Sequence, residues 1–245
     1  MNIRFASHIL MMFAIIFFSS VNIISAQDTI LNKYGLRVIK NITTLHAIIA
    51  EDPEKQIVDL RKLIPNILFD LKYARDDNFM HQKLYPPITT TYLRMPAAKA
   101  LQQIQKELNA QGLSLKIFDA YRPYSVTEKM WEPIKDERYV ADPKNGSGHN
   151  RGIAVDLTII NLKTKKDLLM GTGFDNFSDT AHQSFTALPA EVLQNRKLLK
   201  TIMEKYGFVS LDTEWWHYSL PNAKNFELLD VSFKALKKIT AKQKL

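Results

Sequence analysis

The sequence predicts an α+β fold, a small, mostly antiparallel sheet with helices packed around it. Three observations carry this. Residues 153–160 (IAVDLTII) alternate strictly, with Ile153, Val155, Leu157 and Ile159 on one face and Ala154, Asp156, Thr158 and Ile160 on the other. Residues 95–111 and 189–206 repeat apolar side chains at helical spacing. Residues 208–211 and 215–220 are two short apolar runs placed to form a hairpin.

The elements follow in order. Residues 1–26 hold Arg4, ten unbroken apolar positions at 9–18 (ILMMFAIIFF) and Ile24-Ser25-Ala26, ending on a small residue. This is the pattern of a cleaved export signal rather than an uncleaved anchor, because the apolar core is too short to span a bilayer. The mature chain then starts near Gln27. Residues 27–56 form a lead-in with a short helix near Thr44–Ala50. Residues 57–73 combine apolar runs with Pro65, which favours short strands with a break over one helix. Residues 74–91 carry Asp76-Asp77-Asn78, Pro86-Pro87 and a threonine run, and read as loop. Pro96 suits the first turn of a helix on which Ala97, Leu101, Ile104 and Leu108 share a face, and Gly112 stops it. Leu113, Leu115 and Ile117 alternate as a strand ending at Asp119. Residues 124–138 read as a polar helix and turn, and NGSGHNRG (145–152) as a glycine-rich loop. The helix at 189–206 buries Val192, Leu199, Ile202, Met203 and Tyr206 and ends at Gly207. Residues 224–245 are Lys-rich and read as a solvated amphipathic helix rather than a docking element.

Composition removes whole classes of function. The chain has 245 residues, 46% apolar and 24% charged, which excludes a disordered or low-complexity protein. It has no cysteine, so disulfides, thiol nucleophiles, cysteine-ligated zinc, iron–sulfur clusters and a lipoprotein anchor are excluded. Any metal must sit on His, Asp or Glu, and there are six histidines. The net charge is +8; losing residues 1–26, whose single charged residue is Arg4, leaves +7. The surplus is spread out with no aromatic-interleaved basic run, so nucleic acid is not expected as a partner, while weak attraction to an anionic cell-wall polymer is. Export without cysteine suits a bacterial periplasmic or secreted protein with no stable membrane insertion after signal cleavage.

Asp156 lies mid-strand among apolar neighbours, where a bare carboxylate is costly to bury and needs a cation, a metal or several donors. His149 stands seven residues earlier, between Gly148 and Gly152, whose backbone freedom can bring it back over the strand. By itself this pair reads either as metal donors or as a surface histidine beside an Asp–Arg pair. Glu214-Trp215-Trp216-His217-Tyr218 is the second anomaly. In a regular strand positions 214 and 217 face opposite sides, so for both to serve one site the strand must begin at Trp215, with Glu214 in the turn before it. His149, Asp156 and His217 then form a three-ligand set that leaves one zinc position open, with Glu214 as an unligated carboxylate beside it. Phe118-Asp119-Ala120-Tyr121-Arg122-Pro123 places Arg122 at a strand end, either as a donor to a developing oxyanion or as a structural bridge between carboxylates. His46, His81 and His182 carry no such pattern.

The same residues resemble a known family. Ser147-Gly148-His149-Asn150-Arg151-Gly152-Ile153-Ala154-Val155-Asp156 fits the S-x-H-x-x-G-x-A-x-D signature of the D-alanyl-D-alanine dipeptidases, which are zinc peptidases. Glu214-Trp215-Trp216-His217 fits their E-x-W-H signature, and Asp119–Pro123 their D-x-Y-R-P segment. Met170–Asp175 resembles their M-G-x-x-F-D loop, and Tyr73-Ala74 with Asn78-Phe79 their Y-A-x-x-x-N-F start. The resemblance runs in order from about residue 57 to 222. It implies the peptidoglycan-peptidase (hedgehog-like) type of α+β fold, a catalytic domain over 57–222 and a Lys-rich extension over 223–245. It implies one zinc ion on His149, Asp156 and His217, Glu214 as general base and acid, and Arg122 stabilising the tetrahedral intermediate. It implies Ser147, Tyr73 and Asp175 around the termini of a small D,D-dipeptide; read alone, Asp175 is equally a turn residue in Gly-Phe-Asp-Asn. The rival readings are a D,D-carboxypeptidase or peptidoglycan endopeptidase of the same fold, a non-catalytic wall-binding module, and a basic surface adaptor acting through the C-terminal tail.

Overall fold

The computed structural model describes residues 31–241 and 243. The expected export signal and the start near Gln27 lie outside the described residues. In chain order the elements are β1 (Val38–Ile39), α1 (Ile42–Glu51), β2 (Ile57–Asp59), α2 (Leu60–Leu63), β3 (Leu68–Phe69), β4 (Tyr92–Arg94), α3 (Met95–Asn109), β5 (Leu113–Asp119), α4 (Tyr124–Ile134), α5 (Gly148–Arg151), β6 (Ala154–Asn161), α6 (Ala190–Lys205), β7 (Val209–Leu211), β8 (Glu214–Ser219), β9 (Leu228–Leu229) and α7 (Phe233–Ala241).

The architecture is α+β. Five strands form the main sheet in the order β3-β5-β6-β8-β7. β3 runs parallel to β5 and every other neighbour is antiparallel. Pro96 opens α3 and Gly112, at φ +71°, follows its end, as the sequence pattern requires. Val155, Leu157 and Ile159 of β6 share one core cluster with Leu101, Ile104 and Leu108 of α3 and Leu199, Ile202 and Met203 of α6. The opposite face of β6 is covered too. All of Ala154–Ile160 is buried, and Thr158 lines a hollow walled by Leu168–Phe174. Burying both faces leaves Asp156 almost wholly shielded from bulk water.

Three expectations need correction. The glycine-rich run at 145–152 is loop only in its first part: Gly148–Arg151 is a single helical turn. Ser147 and Asn150 make it so by a reciprocal capping box, each side chain accepting the other's backbone N–H (3.0 and 3.1 Å). Gly152, at φ +71°, closes the turn in the left-handed region that favours glycine. The C-terminal tail is not a solvated helix. α7 buries Phe233, Leu236 and Ile239, β9 pairs with β1, and the Tyr121 hydroxyl both donates to the Val231 carbonyl (2.7 Å) and accepts its N–H (2.9 Å). The third correction concerns where β8 begins, and it bears directly on the site.

Gly148 is where α5 meets the sheet. A Cβ there would lie 2.8 Å from the Ala154 Cβ and 2.9 Å from the Ser219 Oγ. Gly148→Ala is therefore expected to lower unfolding free energy by about 1–3 kcal/mol through overpacking. Chemical denaturation checks this; an unchanged midpoint contradicts the close approach.

Candidate active site

Three adjacent strands bring the polar residues level. Asp119 of β5 pairs with Asp156 of β6, and Asp156 with His217 of β8. A fourth group arrives from α5, whose approach to β6 and β8 turns His149 onto the same spot. The α5 turn is braced against the strand-end segment. Arg122 N–H donates to the His149 carbonyl (3.2 Å), and the Asn150 amide donates to the Arg122 carbonyl (2.9 Å) and Thr127 Oγ1 (2.8 Å).

The ligand atoms of His149, Asp156 and His217 lie within 4.8 Å of one another. His149 Nε2 is 3.2 Å from His217 Nδ1 and 3.4 Å from Asp156 Oδ2, and His217 Nδ1 is 2.9 Å from Asp156 Oδ1. The other ring nitrogen of His149, Nδ1, sits 2.7 Å from the Ala120 carbonyl, which can only accept. The proton is thereby assigned to Nδ1 and the Nε2 lone pair faces the cluster, the usual outer support of a ligating histidine. Burial, outweighing the pull of Asp156, lowers the His217 imidazole below its usual range and favours the neutral form. Burial also pushes the Asp156 carboxyl upward, but His149 and His217 more than offset it, so Asp156 stays ionised. Two imidazoles and one carboxylate turned onto one point fit a divalent metal, and the donor types are those of a three-ligand hydrolytic zinc site.

Glu214 is buried, with Oε2 4.0 Å from His217 Nδ1. The expected start of the strand at Trp215 is wrong by one residue: β8 begins at Glu214 itself. What lets Glu214 and His217 share a side is a slip in register. Ser210 pairs with Tyr218 but Leu211 with Glu214, so three residues of β8 stand opposite none of β7 and the two-residue alternation does not hold across them. Burial first, then the charges of Asp156 and Asp175, raise the Glu214 carboxyl well above the ordinary carboxylate range.

Arg122 meets both of its readings. Nε and Nη2 bind Asp119 Oδ2 (2.9 and 2.8 Å), Nη2 lies 3.6 Å from Asp156 Oδ2, and the guanidinium rests over the Tyr73 ring at 5.1 Å. It bridges two carboxylates and also lines the cavity in front of the cluster. Asp175 accepts the Tyr73 hydroxyl on both oxygens (3.1 and 3.2 Å). Its φ of +58° is a turn conformation that Asp tolerates, so turn residue and site residue are here the same thing. Desolvation, then Asp156, raises its carboxyl well above the usual range. Trp215 Nε1 donates to Thr172 Oγ1 (2.8 Å), which ties the 170–175 loop to β8.

All eight residues singled out in the sequence (Tyr73, Arg122, Ser147, His149, Asp156, Asp175, Glu214, His217) line one cavity of about 290 Å³. His182 is not among its lining residues. Sequence reasoning missed Tyr85 and the part played by Asp119, which lie behind Arg122. A strand-end Asp in an apolar run was the available signal for Asp119; Tyr85, in a proline-flanked loop, offered none.

A centre that can hold one divalent ion on three side chains, with a proton acceptor beside it and a cation facing the same small cavity, has the chemistry of a metallohydrolase. Comparison with known proteins narrows this. Residues 53–238 match the family model for peptidase M15, described as D-ala-D-ala dipeptidase, and the chain belongs to that metallopeptidase family. It is 36% identical over 178 residues to the D-alanyl-D-alanine dipeptidase of Escherichia coli (strain K12), covering 73% of this chain and 91% of that one. It is 30% identical over 186 residues to the D-alanyl-D-alanine dipeptidase of Enterococcus faecalis, covering 68% and 92%.

Proposed function

We propose that the protein is a zinc-dependent dipeptidase that hydrolyses D-alanyl-D-alanine and acts in peptidoglycan precursor or fragment turnover. The observation that carries this is the convergence of His149, Asp156, His217 and Glu214 at one cavity that also holds Asp175 and Arg122. The cavity suits a substrate whose two ends are both charged and only a few ångströms apart.

His149, Asp156 and His217 would hold the zinc. When bound it acidifies water to a pKa of roughly 7 and polarises a carbonyl. The raised carboxyl of Glu214 suits it to take the proton of the attacking water and hand it to the leaving amine as the C–N bond breaks. Arg122, already fixed by Asp119, faces the oxygen on which negative charge develops; a donor so placed contributes on the order of 2.7–4 kcal/mol to the transition state. Asp175, with Tyr73 behind it, accepts the substrate ammonium, and the Ser147 hydroxyl, whose oxygen already accepts the Asn150 N–H, has its proton free to donate to substrate.

The Asp175 role carries a pH signature. A carboxyl with a raised pKa is neutral below that pKa and cannot pair with an ammonium, so KM should rise as pH falls through it. In Asp175→Asn, KM should be flat over the same window, above the wild-type value at high pH and converging with it at low pH. Steady-state kinetics across pH check this, and an Asn variant with the unaltered profile contradicts it. We also propose that residues 1–26 direct export to a periplasmic or secreted location. The N-terminus of protein recovered from the expressing bacterium should then map near Gln27; recovery with Met1 intact contradicts it.

A further inference from the structure

Behind Arg122 lies a chain of buried groups with no part in the proposed chemistry. The Tyr85 hydroxyl donates to Asp119 Oδ1 at 2.9 Å. The other oxygen of Asp119, Oδ2, takes both Nε and Nη2 of Arg122. Asp119 is fully buried and Tyr85 nearly so. Tyr85 is itself held from three sides: its N–H donates to the Tyr73 carbonyl (2.9 Å), and its ring packs against Tyr73 (5.9 Å) and Phe233 of α7 (4.8 Å).

We infer that Tyr85 is a positioning residue for Arg122, acting through Asp119. A carboxylate offers two oxygens, and the preferred Arg–carboxylate pairing is a fork on both. Here the tyrosine occupies one oxygen, so both guanidinium N–H groups converge on the other. Remove the Tyr85 hydroxyl and Oδ1 is a buried acceptor without this donor, which is costly to leave unmade. The cheapest repair is rotation of the Asp119 carboxylate into a two-oxygen fork on Arg122. That draws the guanidinium away from the cavity and alters its 3.6 Å approach to Asp156. The tyrosine hydroxyl thus sets where the cavity-facing donors of Arg122 stand. Phenylalanine keeps the ring packing and removes only the hydroxyl.

The effect on turnover rests on the dipeptidase reading above; the effect on Arg122 does not. In zinc-loaded Tyr85→Phe, kcat for D-Ala-D-Ala should fall about 10- to 100-fold, the scale of a misplaced catalytic group, with KM within about twofold and metal content unchanged. In an Arg122→Ala background the same substitution should cost nothing further. Asp119→Asn should reproduce the loss. Independently of substrate, the Arg122 Nε–H resonance of ¹⁵N-labelled protein should shift and exchange faster with solvent in Tyr85→Phe. An unmoved Arg122 resonance overturns the inference whatever the enzyme hydrolyses, as does an equal loss in both backgrounds. If wild-type protein with zinc releases no D-Ala while the resonance moves, the dipeptidase reading fails and the positioning role stands.

Discussion

Glu214→Gln protein is expected to keep its metal and lose two or more orders of magnitude in kcat on D-Ala-D-Ala. Glutamine matches glutamate in shape, and Glu214 stands outside the His149, Asp156 and His217 cluster, so the ligand set is untouched. What is lost is a group that can accept and return a proton, and general acid–base groups contribute about 10²–10⁴. Burial and the nearby Asp156 and Asp175 charges raise the Glu214 carboxyl well above the ordinary carboxylate range. A pKa so raised is the tuning an acid–base group requires, whereas a merely structural glutamate would be expected to pair with a cation. Metal content and kcat measured on the same preparation separate the outcomes. Full activity in Glu214→Gln contradicts the base role, and loss of metal would make Glu214 a ligand.

Replacing a ligand should act differently. His149→Ala or Asp156→Asn is expected to bring metal content from about one ion per chain to near none, and turnover to background. Stability should follow the metal. A ligand that binds only the folded state at 100 times its Kd adds about 2.7 kcal/mol, so chelation should lower the unfolding midpoint of wild type and leave that of the variants unchanged. Asp156 carries a further liability, because His217 (2.9 Å) loses its carboxylate partner and Arg122 (3.6 Å) the second of its two carboxylates. Thermal unfolding with and without chelator, alongside metal analysis, checks both parts. A variant that retains stoichiometric zinc contradicts the ligand set.

Much of the site was legible in the sequence because its residues break local rules. Asp156 stands out in a strand that is otherwise apolar, and His217 in an aromatic run, so each advertises a need for a partner. Their pairing across β6 and β8 is set by strand order and register, which the local patterns do not contain. The α5 turn was less legible: glycines at 146, 148 and 152 suggest a loop, and only the reciprocal Ser147–Asn150 cap makes one helical turn of it. The start of β8 was misplaced because strict alternation was assumed, whereas the slipped register with β7 relaxes it. The tail was misread for a different reason. Lysines dominate its composition, and Lys224, Lys234, Lys237 and Lys238 face outward, while Phe233, Leu236 and Ile239 are apolar at helical spacing and find tyrosines contributed by distant segments (Tyr85, Tyr92 and Tyr121), which no local pattern reveals.

The most direct test of a single hydrolytic metal on His149, Asp156 and His217 is D-Ala release from D-Ala-D-Ala by the purified protein, followed before chelation, after removal of the chelated metal, and after return of one equivalent of zinc. Release that stops with the metal and resumes at one equivalent is the predicted result. Release that continues undiminished in fully metal-free protein would contradict it.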